Sequence, residues 1–242
     1  MTEDEISLAF DFVDRCDGND STQDLVNDFR ATIQRFGFRH SACGCWLGAG
    51  AHRTVRFFFV DWPENVAKAY VEQDLFSKDP LVFAARRRMT AYTWASVLDA
   101  EPLQPEMRDM FDYIARYDIH DGFCIPVHGP AGYQGLVSLL APAKLNLGAR
   151  ERSILEMLSR AIHDRCRETV GFGTIDTAIP EMTVREIECM KWAAAGKTDW
   201  EIGQILGISR STAHFHVERV KKKLRKNSRT EAVAILILHG LI

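Results

Sequence analysis

Residues 183–224 read TVREIECMKWAAAGKTDWEIGQILGISRSTAHFHVERVKKKL, and the punctuation of this stretch decides how the last quarter of the chain folds. Thr183 with Glu186 and Thr198 with Glu201 have capping-box spacing, as do Ser228 and Glu231 just beyond. In such a box a hydroxyl and a carboxylate satisfy the open amides of a helix start, contributing roughly 1 kcal/mol per cap. Gly196 and Gly207 stand where a helix ends in a left-handed residue. Apolar spacing assigns Ile187, Met190 and Ala194 to the core from a first helix, and Ile202, Ile205 and Leu206 from a second, Asp199 to Leu206. The turn Gly207-Ile208-Ser209 leads into a third helix capped by Ser209, with Ala213, Val217, Val220 and Leu224 facing inward. A short helix, a three-residue turn containing Gly and a second helix make a helix-turn-helix.

Removing the core positions leaves Arg210, Ser211, His214, Phe215, Glu218, Arg219 and Lys222 on the outer face, with Thr212 in the first turn. The first turns carry groups that read base edges, and Arg219 with Lys221 to Lys223 offers charge to phosphates. A recognition helix enters the major groove by its N-terminal end, which suits this division. Charge agrees. Residues 182–242 hold 11 basic and 6 acidic side chains, a net of +5, whereas the rest of the chain carries −8 within a total of −3. A basic tail on an acidic body is the distribution expected when the tail alone meets nucleic acid.

Upstream, residues 171–181 (GFGTIDTAIPE) lack periodicity and contain Gly and Pro, and so read as a linker. Residues 1–170 mix helical stripes with strands. Leu25, Val26, Phe29, Ile33 and Phe36 mark a helix from Thr22 to Phe36, and Met107 to Arg116 and Ala149 to Arg167 repeat the pattern. Thr54 to Val60, Gly122 to Val127 and Tyr133 to Leu140 read as strands, the last two joined by the turn HGPAG. The expected class is α+β: an N-terminal α/β/α sandwich with an antiparallel sheet over 1–170, and an all-α four-helix helix-turn-helix domain over 182–242.

The 183–224 stretch resembles, almost without gaps, the C-terminal domain of LuxR-type regulators, and the likeness continues through NSRTEAVA and the closing GLI. Glu186 and Gly196 fall on that family's most constant positions, and Met190 stands where Leu is usual. More weakly, WPENVAKAY, FSKDPLV, YTW and DGFCIPVHGP are similar to the autoinducer-binding domain of quorum-sensing LuxR-type proteins, which bind N-acyl-homoserine lactones. That resemblance implies that Asp79 accepts a hydrogen bond from the ligand amide, that Tyr70 and Trp94 wall the pocket, and that Ser138 bonds the acyl carbonyl. Phe111, Met110 and Ile119 would line the acyl end. It also implies a homodimer on a two-fold symmetric operator in double-stranded DNA, with RNA polymerase as a candidate partner.

One position departs. Four residues before Tyr70 the family has a Trp whose indole N–H bonds the lactone carbonyl; here it is Val66, which has no donor. Four residues earlier, where an aromatic is usual, stands Trp62. Either the lactone is held differently or the head group is not a lactone. The residues also admit plainer readings: Asp79-Pro80 as a helix or turn cap, and Trp62, Tyr70 and Trp94 as aromatic core.

Other classes find little support. No phosphate-binding Gly-rich loop, metal-ligand spacing or nucleophile with a base is present, so neither an enzyme nor a metal or cofactor is expected. The six cysteines lack paired spacing and read as reduced, buried thiols of a cytoplasmic protein. No apolar run approaches the ~18 residues of a membrane span. A ligand-independent regulator, or one that pairs with a relative to block it, is the alternative that Val66 leaves open.

Overall fold

The computed structural model describes residues 3–18, 20–47, 54–100, 103–129, 132–170 and 179–242. Most of the expected linker, and two residues of the HGPAG turn, lie outside them. The described residues form two compact units, each built on its own core.

The first unit is a five-stranded antiparallel sheet of β1 (His40–Leu47), β2 (Thr54–Val60), β3 (Tyr92–Thr93), β4 (Asp121–His128) and β5 (Gln134–Ala141), in the order β2-β1-β5-β4-β3. Side chains alternate across a strand, and here the alternation sorts two cores. Phe123 and Ile125 of β4 and Val137 and Leu139 of β5 pack under α1 (Glu3–Asp17), α2 (Thr22–Gln34) and α7 (Ala149–Val170). On the other face Cys124, Leu136 and Leu140 meet α3 (Glu64–Glu72), α4 (Pro80–Ala85) and α6 (Pro105–Ala115), with the short α5 (Ala95–Leu98) beside them. Helices on both faces make the α/β/α sandwich. The expected helices and strands are present to within three residues at each end, while α1, α3, α4, α5, β1 and β3 lie outside the segments that the sequence marks.

The second unit holds α8 (Val184–Ala194), α9 (Asp199–Leu206), α10 (Arg210–Lys223) and α11 (Arg229–Leu238). All three capping boxes form, and Ser209 caps α10. Gly196 and Gly207 adopt φ of 80° and 65°. The core faces of α8 and α9 need correction. Glu186, Cys189, Met190 and Ala193 are buried, whereas Ala194 is exposed, Ile187 is half-buried and Ile205 is 43% exposed. The inward stripe of α8 is rotated because Glu186, a charged residue, occupies it, stabilised by partners that apolar periodicity does not count. In α9 the inward position beside Ile202 is Gly203, whose Cα lies so close to the next turn that a Cβ would come within 2.8 Å of the Ile208 carbonyl.

Candidate functional site

Between the sheet and α3, α4 and α6 lies a mostly apolar cavity, partly open to solvent. All seven residues expected to contact a ligand line it: Trp62, Val66, Tyr70, Asp79, Trp94, Phe111 and Ser138. Met110 and Ile119 join them, as do Ala42, Gly44 and Trp46 of β1, which the sequence reading missed along with the strand. Had the alternation in 40–47 been taken as a strand, those residues would have shared a face.

Local structure positions each polar group. Val66 and Tyr70, one helical turn apart, share a face of α3. Asp79 is the N-cap of α4, with Pro80 behind it; its Oδ1 accepts from the Leu81 amide at 2.8 Å and its Oδ2 from the Tyr70 hydroxyl at 2.7 Å. The cap reading is therefore realised, and the carboxylate retains acceptor capacity beyond these two bonds. Asp79 is only 7% exposed. Burial raises its carboxyl above the usual range, against the pull of Tyr70 and the backbone amides. Burial, then the neighbouring Asp79, pushes the Tyr70 phenol well up, keeping it a donor.

Trp94 packs edge-on to Phe111, ring centroids 5.3 Å apart, and Trp62 edge-on to Tyr70 at 5.1 Å. Trp94 fits only because residue 122 is Gly: a Cβ there would lie 2.3 Å from its Nε1. Ser138 pairs across the sheet with Cys124, and among the described residues its hydroxyl reaches only that thiol, at 3.8 Å. The thiol stays protonated, burial lifting its pKa to about 12. Two donors lining the cavity lack an oxygen or nitrogen acceptor among the described residues, the indole N–H of Trp62 and that of Trp94. No Lys, Arg or His lines the cavity among the described residues.

The second candidate surface is α10. Arg210, Ser211, His214, Phe215, Glu218, Arg219 and Lys222 are exposed and Thr212 half-buried, above buried Ala213, Val217 and Val220. Several polar members are already engaged. His214 Nδ1 lies 2.8 Å from Asp199 Oδ2, and Glu218 pairs with Lys221 at 2.6 Å. Arg219 stacks on Phe215 and lies 3.4 Å from buried Glu186, which also takes Lys223 at 2.6 Å. Burial would raise the Glu186 carboxyl, but Lys223 and Thr183 outweigh it and hold it below the usual range. Arg219 therefore serves the domain's own structure as well as facing outward. Arg210 and Lys222 pair with none of the described residues.

Comparison with known proteins matches residues 21–166 to the family described as "Autoinducer binding domain" and residues 180–236 to "Bacterial regulatory proteins, luxR family". The chain is 29% identical to the transcriptional activator protein BjaR1 of Bradyrhizobium diazoefficiens, covering 97% of this chain and 96% of that one. It is 26% identical to the quorum sensing-dependent regulator RpaR of Rhodopseudomonas palustris, over 97% and 94%. Among solved structures, SdiA in complex with octanoyl-rac-glycerol superposes with a TM-score of 0.65 at 19% identity, over 100% of this chain and 98% of that one, a likeness of fold. The matched families are regulators rather than enzymes.

Proposed function

This chain belongs to the luxR family of quorum-sensing transcriptional regulators, joining an autoinducer-binding domain to a DNA-binding helix-turn-helix domain, and on that premise we propose that its signal is a neutral acyl compound. The ligand is an N-acyl-homoserine lactone or a relative whose head carries both a hydrogen-bond acceptor and an N–H or O–H donor. The observation that carries this is the polar inventory of an otherwise apolar cavity: indole N–H groups at Trp62 and Trp94 with no oxygen or nitrogen acceptor among the described residues, the second beside the Cys124 thiol, and a buried Asp79 carboxylate with spare acceptor capacity. A buried donor without an acceptor costs ~1–3 kcal/mol, which a ligand carbonyl recovers. Asp79 would take the ligand's donor, and Ser138 its acyl carbonyl. Val66 leaves the usual indole absent, and Trp62, four residues earlier and just ahead of α3, supplies the missing N–H. With no cation among the lining residues and a carboxylate already present, an anionic ligand would be repelled.

Ligand burial then completes the sensor core and stabilises a homodimer, which presents two α10 helices to half-sites ~34 Å apart on a two-fold symmetric operator. Arg210, Ser211, Thr212, His214, Phe215 and Glu218 would face bases, and Arg219 and Lys222 phosphates. The test is a thermal melt of the purified chain with a panel of acyl-homoserine lactones, their ring-opened carboxylates, and octanoylglycerol. A neutral ligand at 100 times its dissociation constant should add about 2.7 kcal/mol, several degrees in Tm, and the ring-opened forms should add nothing. Folded, DNA-binding protein that shifts with none of them would refute the reading.

A further inference from the structure

The geometry points to Asp199 as a positioning residue that fixes the tautomer of His214, so that α10 presents a hydrogen-bond acceptor and reads the exocyclic amino group of adenine or cytosine. Asp199 is the first residue of α9, and its carboxylate spans three helices. Oδ2 lies 2.8 Å from His214 Nδ1 on α10, and Oδ1 accepts from Arg229 Nη1 on α11 at 3.0 Å. Arg229 is itself anchored by a second bond, from Nη2 to the Lys197 carbonyl. The carboxylate is thus held from behind by a fixed cation and cannot swing away from the imidazole without losing that pair.

An ionised carboxylate only accepts hydrogen bonds, so the short contact requires the proton of a neutral imidazole to sit on Nδ1. Nε2 is then a bare acceptor. The His214 side chain is 59% exposed, on the second turn of α10, and its Nε2 bonds none of the described residues. In the major groove the amino groups of adenine and cytosine are the donors, whereas guanine and thymine offer acceptors at their corresponding edges. A histidine free to exchange tautomers would accept or donate and discriminate poorly; one locked by Asp199 selects the donor edge. The assignment rests on the reading that the outer face of α10 enters the major groove.

Two measurements on the full chain test it. The first is the ¹⁵N–¹H long-range NMR pattern of the His214 ring at about pH 8, assigned by its loss in His214→Gln. The expected pattern is the Nδ1–H tautomer in the wild type and a mixture in Asp199→Asn, whose amide keeps the size and either accepts or donates. An Nε2–H tautomer or an averaged ring in the wild type overturns the proposal. The second is selection of duplexes from a randomised pool by the wild type, His214→Ala and Asp199→Asn. Adenine or cytosine should be required at one position per half-site, the requirement lost in His214→Ala and weakened about threefold to tenfold in Asp199→Asn. Guanine or thymine at that position, or undiminished preference in Asp199→Asn, overturns it while leaving DNA binding intact. Wild type that enriches no sequence removes the DNA-reading premise as well.

Discussion

Asp79 shows how one residue serves two ends. Its Oδ1 closes the first turn of α4 and its Oδ2 holds the Tyr70 hydroxyl, so the cap leaves acceptor capacity for the ligand role proposed above. The sequence announces the cap through Asp-Pro, but not the Tyr70 contact, which joins residues nine apart through a helix and a turn. Trp62 is the reverse case. Its identity is plain in the sequence, yet only the folded chain reveals that its N–H is buried and unmet. Gly122 gives the sharpest residue-level prediction. Because a Cβ there would overlap the Trp94 ring at 2.3 Å, Gly122→Ala must move Trp94. Overpacking of this kind costs ~1–3 kcal/mol. The Tm should fall by several degrees, with a change in the near-ultraviolet signal of the tryptophans. An unchanged melt and spectrum would show that the ring has room to yield.

At the scale of elements, what could be read depended on how loudly each segment speaks. The helices of the second unit carry Ser or Thr N-caps, and β2 is β-branched and aromatic apart from Arg56; both are legible in the sequence. β1, HSACGCWL, has small residues and cysteines at its centre and little β character there; Gly44 lies against the Arg56 carbonyl, where a Cβ would sit at 2.8 Å. That close approach to β2 excludes any side chain at position 44. The α7–β5 packing carries a second such fit. His163 of α7 is fully buried, its Nε2 3.0 Å from the Tyr133 hydroxyl, and Gly135 of β5 leaves room for the ring, since a Cβ would fall 2.2 Å away.

Burial lowers the His163 pKa below its ordinary 6.5, and Arg167 and Arg160 add to this, against the pull of Asp164. As pH falls below about 6.5, the unfolded chain takes a proton that the folded chain refuses, so stability declines from there until the folded imidazole titrates too. Denaturant unfolding between about pH 8 and about pH 5 should show this loss, and His163→Gln should reduce it. An identical pH profile in the variant would assign the loss to other groups.

For the molecule as a whole, the two units keep separate chemistry. Residues 182–242 carry a net positive charge, and among the described residues the cavity lining holds a single carboxylate, Asp79, between mostly apolar walls. The division into a sensor and a DNA-binding part was legible because caps, periodicity and charge all change together after residue 181. The ligand was not, because it depends on which buried polar atoms lack partners, a property of the folded cavity and not of spacing. Calorimetric titration of the wild type and Trp62→Phe with the lactone giving the largest melting shift decides whether Trp62 replaces the missing indole. The variant removes one N–H with little change in shape. If Trp62 donates to the signal, its Kd should rise about tenfold, while the ligand-free Tm stays level or rises as an unmet buried donor is lost. Equal affinity in the two proteins would contradict this account and return the head group to contacts elsewhere in the cavity.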